Sequence, residues 1–165
     1  MSFASLTSRD VAFRLLHRGA GAALAIAIME LLAHVAGEPL ARVPFVTSIV
    51  LVIALPGTEP ARPGSVVGGH LASSLSGLAA LWLLGPGEVA SSVAVGLATV
   101  AMITARVLHP PAGIDAFLIA SLSLPATWVL NPVLAGAVLL VGYAKVWQAA
   151  EVRIMSWLDH RLGKR

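Results

Sequence analysis

The sequence predicts an all-α protein: a polytopic membrane helical bundle of four long spans and two short, broken helices, arranged as an inverted repeat of three elements in each half. Three observations predict it. Of the 165 residues, 58% are hydrophobic and 12% are charged, and a mean hydropathy of +0.88 exceeds what the surface of an ordinary soluble domain tolerates. Two short apolar stretches, Phe45–Leu55 and Ala112–Leu124, hold corresponding places in the two halves, and nine of the ten prolines flank them. Helices of that length reach about 17–20 Å, short of the ~30 Å hydrocarbon core of a bilayer, so they read as half-helices or re-entrant hairpins.

Residues 1–16 set Phe3, Leu6, Phe13 and Leu16 among polar and basic side chains, the pattern of a short amphipathic helix in the membrane interface. The membrane domain then covers 17–149, with one repeat over 17–84 and the other over 88–149. A first span runs from His17 to Gly37. The short segment after it ends in Leu55-Pro56-Gly57-Thr58-Glu59-Pro60, which stops a helix. Spans follow over Gly64–Leu84 and, beyond the Gly85-Pro86-Gly87 turn, over Glu88–Leu108. The second short segment starts at Pro111 and ends at Leu124-Pro125, before a last span from Trp128 to Trp147. Residues 150–165 form a basic, amphipathic tail, with Ile154, Trp157, Leu158 and Arg161 three and four apart.

The two halves correspond in detail as well as in order. Pro44 answers Pro111 at an offset of 67 and Pro63 answers Pro132 at 69, while Leu55-Pro56 answers Leu124-Pro125. A matched pair of short, Pro- and Gly-interrupted apolar segments is the sequence sign of a repeat-built transporter with its site at the repeat interface. Eight of the eleven Lys and Arg residues lie in the two tails, which places both termini in the cytoplasm and makes the number of crossings even, four or six. Trp82 and Trp128 would mark the outer headgroup level, and Tyr143 and Trp147 the inner. This is expected to be a bacterial inner-membrane protein. Its basic balance reads as topology and contact with membrane lipids; without a basic stripe interleaved with aromatic residues, no nucleic-acid partner is expected.

The sharpest local signal is Arg106-Val-Leu-His109-Pro110-Pro111-Ala-Gly113. Two successive prolines break the preceding helix, and a proline suits the first position of the next. A half-helix would start there, its free N–H groups and positive dipole end favouring an anion, with His109 and Arg106 adding a donor and a charge. His70 sits in the third apolar run, after Gly68 and Gly69, which permit close backbone approach. An imidazole at membrane depth can bind an anion when charged or relay a proton.

At this motif the chain resembles the HPP family of integral membrane proteins, named for the triplet that His109, Pro110 and Pro111 supply. Pro63-Gly64-Ser65-Val66-Val67-Gly68-Gly69-His70 is similar to the family's other signature, so the resemblance covers most of the chain. It implies four spans and a transport function, with nitrite import proposed for plastid and cyanobacterial relatives. Two positions depart from the family. Arg62-Pro63-Gly64-Ser65 stands where the family has Gln-Pro-Arg-Asn, and Asp115 where it has a small hydroxyl residue. An aspartate in the first turn of that half-helix would repel an anion bound there, so Asp115 is expected to pair with Arg106.

The functional expectation is a transporter or channel-like permease for a small inorganic anion, nitrite by resemblance, at a site of His109, Pro110, Pro111, Gly113, Arg106, His70 and Gly69. Asp115, Arg62 and Glu59 are the gating or proton-coupling candidates. A homo-oligomer is expected, because Gly64 and Gly68, and Ser92, Gly96 and Thr99, give the spans small-residue faces. Without cysteine there is neither disulfide nor thiolate chemistry. No HExxH or comparable ligand set occurs, and Glu30 and His34 read as a local pair, so neither a metal, a cofactor nor an enzymatic activity is expected. A non-transporting assembly subunit is the alternative, and a membrane-embedded metalloenzyme a more distant one.

Overall fold

A computed structural model describes residues 8–37 and 43–161. Six α-helices account for most of them: α1 (Ser8–Ala36), α2 (Phe45–Ala54), α3 (Pro63–Leu84), α4 (Glu88–Thr104), α5 (Gly113–Leu122) and α6 (Ala135–Arg161). Short 3₁₀ turns, Glu59–Ala61 and Pro110–Ala112, precede α3 and α5. Three helical segments are long and apolar enough to cross a membrane: Ser8–Ala36, Pro63–Leu84 and Val129–Arg161. α4, at 17 residues, is shorter than these. Glu38 and Arg42, expected in a loop, lie outside the described residues, as do 1–7 and 162–165.

Several boundaries differ from the expectation. α1 has no break at residue 16, and α6 runs on through residue 149, so the described parts of the two tails continue long helices. α4 stops at Thr104 rather than Leu108, because the chain turns sharply there: Arg106 takes φ 57° and Val107 N–H returns to the Met102 carbonyl. The last span starts with a kink. Residues 129–134 form a wide turn broken at Asn131, whose extended backbone precedes Pro132, as proline favours in the residue before it.

The helices pack in two groups. One unites α1, α2 and α6 around Phe45, Ile49, Val52 and Leu140. The other joins α3, α4 and α5 through a seam of alanines, with Ala90, Ala94 and Ala98 on α4 facing Ala112, Ala116 and Ala120. Without large side chains the backbones come close: a methyl group at Gly77 would stand 2.9 Å from the Ala116 Cα. The third helix of each half therefore packs with the first two of the other half. Trp128 is buried beside Leu118, Ile119 and Val133, whereas Trp82 is fully outward-facing.

An ionic clasp ties α1 to α2 and α6. Arg14 Nη1 donates to Glu151 Oε1 at 2.6 Å, and Arg18 donates to both Glu151 oxygens at 3.3 Å and to the Ala54 carbonyl at 2.9 Å. Beside it, His17 stacks between Phe13 and Trp147, and Trp147 Nε1–H donates to the His17 carbonyl.

Candidate functional site

Where the two groups meet, four side chains with no exposed surface form a continuous polar chain through the interior. The first short helix contributes Ser48. The buried stripe of α2 is Phe45, Ser48, Ile49, Val52 and Ile53, a helical spacing in which Ser48 is the one polar member. α3 contributes His70, on a face shared with Gly69, Ser73, Ser74 and Gly77. The connection before the second short helix contributes His109, and α5 contributes Asp115.

Local sequence explains how His109 reaches this point. Pro110 disfavours a helical conformation at the residue before it, and His109, five residues beyond the end of α4, is extended (φ −134°, ψ 88°). Pro110, Pro111 and Ala112 then make the 3₁₀ turn that starts α5. Glycines on α3 admit the segment. A methyl at Gly69 would stand 2.6 Å from the His109 Cβ, and one at Gly68 would stand 2.8 Å from Val107. Gly113 has no such constraint, since a methyl there would meet nothing within 4 Å.

The contacts run in order. His109 Nδ1–H donates to the Pro60 carbonyl at 2.7 Å, and His109 Nε2 lies 2.9 Å from Ser48 Oγ. Ser48 Oγ lies 3.1 Å from His70 Nε2 and 3.2 Å from the Pro44 carbonyl. His70 Nδ1 meets Asp115 Oδ2 at 2.7 Å. The Ser74 hydroxyl, one turn on from His70, is buried beside the same carboxylate. Such groups in an apolar interior persist when hydrogen-bonded to one another, and a chain of them can hold and pass a proton.

Two cavities lie one residue away from the chain, beyond Pro60 and beyond Phe45. Pro60, which holds His109, also lines a space of about 210 Å³ with Glu59, Ile103, Arg106 and Leu108. At the other end the Phe45 ring lies 5.1 Å from the His70 ring and walls a space of about 200 Å³ that Asn131, Pro132 and Gly136 share. Phe45 is seated against Gly136, where a methyl group would overlap the ring.

The structure thus brings His70, His109 and Asp115 together, with Gly69 as the seat, and puts Arg106 and Glu59 on an adjoining cavity. Arg62 is exposed at the start of α3. Asp115 pairs with His70 and not with Arg106, which corrects the expected pairing; Arg106 sits on the sharp turn after α4 and is exposed. Nor do the first amides of the second broken helix open into a wet cavity. Ala112 N–H donates to the His109 carbonyl, Gly113 N–H to the Pro110 carbonyl and Ala116 N–H to the Ser73 hydroxyl. Among the described residues, no three His, Asp or Glu side chains converge as metal ligands.

Comparison with known proteins decides the family. The family described as HPP, transmembrane region, matches residues 8–155. The chain belongs to the HPP family. It is accordingly a membrane protein, with three apolar helices able to span a bilayer. Comparisons with curated proteins and with solved structures each give no match. In this HPP-family chain the signature His109 is the extended residue before the double proline, and His70 of the Pro63–His70 segment is its partner across Ser48. Ser48 escaped the sequence reading. Its one signal is the hydroxyl in an apolar helical stripe, which identifies a buried position but not a partner.

Proposed function

We propose that the protein is a permease for a small inorganic anion, nitrite by family resemblance, and not an enzyme. The observation that carries this reading is the buried chain His109–Ser48–His70–Asp115, drawn from both halves, with one cavity beyond Pro60, which holds His109, and another beyond Phe45, which lies against His70. Ionisable groups at membrane depth are costly and mark ion or proton pathways. Arg106 gives one cavity a positive group that attracts an anion, and Glu59 beside it modulates that attraction. In this reading the receiving donors are the His109 and His70 imidazoles and the Ser48 hydroxyl, whose hydrogen bonds exchange for ones to the anion.

The exchanged packing of the two groups supports a repeat, and the odd number of elements in each half makes it an inverted one. Swapping α1 with α4, α2 with α5 and α3 with α6 turns one group into the other. In that arrangement the cytoplasmic termini of a bacterial inner-membrane protein lie on one side. Ser92, Gly96 and Thr99 are exposed on α4, opposite its alanine seam, and supply a face on which a second copy packs closely.

The test is nitrite flux into proteoliposomes, set against protein-free vesicles. His109→Ala and His70→Ala are each expected to lower the protein-dependent flux about tenfold or more, the equivalent of roughly 1.4 kcal/mol. Thermal stabilisation by nitrite should disappear with it. Flux that both variants retain, or no flux of any small anion, refutes the reading.

A further inference from the structure

The hydrogen-bond inventory of the buried chain fixes how many protons it holds. We infer that Ser48 joins His109, His70 and Asp115 into one proton-carrying unit, which always holds at least one transferable proton and takes a second together with a monovalent anion. The second clause rests on the permease reading. The first stands without it.

The count starts at His109. The Pro60 carbonyl only accepts, so His109 Nδ1 carries a hydrogen. Consider Asp115 ionised and His70 also protonated at Nδ1 alone, donating to Asp115 Oδ2. Both Nε2 atoms then present bare lone pairs to Ser48 Oγ, at 2.9 and 3.1 Å. A hydroxyl has one hydrogen, so one of these contacts would contain none. Nothing relieves that conflict, because none of the four residues is exposed.

One added proton resolves it. With that proton on His109 Nε2, His109 donates to Ser48 Oγ and the hydroxyl hydrogen is donated to His70 Nε2. Transfer is then a paired shift. The His109 N–H bond breaks as a new O–H bond forms, and the original hydroxyl hydrogen passes to His70 Nε2. His70 can next release its Nδ1 proton to Asp115 Oδ2, leaving a neutral acid and a neutral imidazole. Atoms balance at each step and the unit stays at net charge zero.

A second proton has a place as well. The Ser48 hydroxyl turns to the Pro44 carbonyl, 3.2 Å away, and accepts from both Nε2–H groups, which saturates its one donor and two acceptor sites. The unit then carries one positive charge. That matches one monovalent anion, so anion and proton would cross together without net charge. The ionisable groups facing the hydroxyl are His70 from α3 and His109 from the connection before α5, with Asp115 of α5 behind His70; α2 brings none. Glu59 and Arg106 face the cavity across Pro60.

In every state of this scheme the number of Nε2–H groups equals the number of protons held. Nitrogen-15 NMR of histidine-labelled protein in nanodiscs, assigned with His70→Gln and His109→Gln, reads that number directly. One protonated Nε2 is expected to persist to pH 8, and a second to appear with saturating sodium nitrite. Ser48→Ala should lose the persistent proton and lower nitrite-linked proton entry into liposomes by about tenfold or more, while Ser48→Thr should restore both. Two bare Nε2 atoms at pH 8 in the unaltered protein overturn the unit, whatever the flux. A single Nε2–H in nitrite-saturated protein, or nitrite flux that carries net charge, overturns the second proton. A persistent Nε2–H without any nitrite flux upholds the unit and refutes the permease.

Discussion

Replacing Gly69 by alanine tests whether the close approach of α3 to the His109 segment holds the buried chain together. The new methyl would stand 2.6 Å from the His109 Cβ, 3.0 Å from the Val107 carbonyl oxygen and 3.5 Å from the His109 Cα. Carbon atoms pack at about 3.5–4.0 Å, so the segment must retreat by roughly 1 Å. None of the three atoms can swing aside by changing rotamer. A retreat of that size takes the His109–Ser48 contact from 2.9 Å to nearly 4 Å, outside hydrogen-bond range. Overpacking of this kind costs about 1–3 kcal/mol, and the better helix propensity of alanine returns up to ~1 kcal/mol. The expected net loss is about 1–2 kcal/mol, seen as a melting temperature lower by a few degrees in detergent. Nitrite flux should fall with it. Gly113→Ala is the matched control: with nothing within 4 Å of its methyl and a better helix former in place, it should not lower the melting temperature or the flux. A Gly69→Ala protein that melts and transports as the unaltered one does would refute the seating argument.

Two further substitutions address other parts of the polar framework. Glu151→Gln leaves Arg14 and Arg18 without their shared carboxylate; because both guanidinium groups keep some access to solvent, a loss of roughly 1–3 kcal/mol is expected, and an unchanged melting temperature would show that the clasp contributes nothing. At Asp115, leucine should destabilise the protein by about 1–3 kcal/mol more than asparagine does, since asparagine keeps an oxygen for His70 Nδ1–H and leucine leaves it unpaired in an apolar interior. Equal melting temperatures of the two variants would deny that hydrogen bond a structural part.

Which parts of this molecule could be read from its residues follows from how local each determinant is. Composition and hydropathy identify a membrane bundle, because a surface this apolar is excluded from water. Prolines act on their immediate neighbours, so the short helices Phe45–Ala54 and Gly113–Leu122 lie where the proline clusters put them, and the HPP signature is read from residues in sequence. Helix ends set by one turn of backbone were harder: nothing in the run from Glu88 to Leu108 marks the positive φ at Arg106 that stops α4 at Thr104. The chemistry of the interior depended on contacts between distant residues. Ser48 meets His70 across 22 positions and His109 across 61, and His70 meets Asp115 across 45. A charge in the first turn of α5 would interact with any cation within reach, and sequence proximity pointed to Arg106. The folded chain gives it His70 instead, because α3 and α5 close over an alanine seam and Gly77, while the turn after α4 carries Arg106 to the surface. Sequence by itself determined the class, the broken helices and the family; only tertiary structure decided which polar groups share the dry interior, because burial forces partners on one another that the order of residues leaves open.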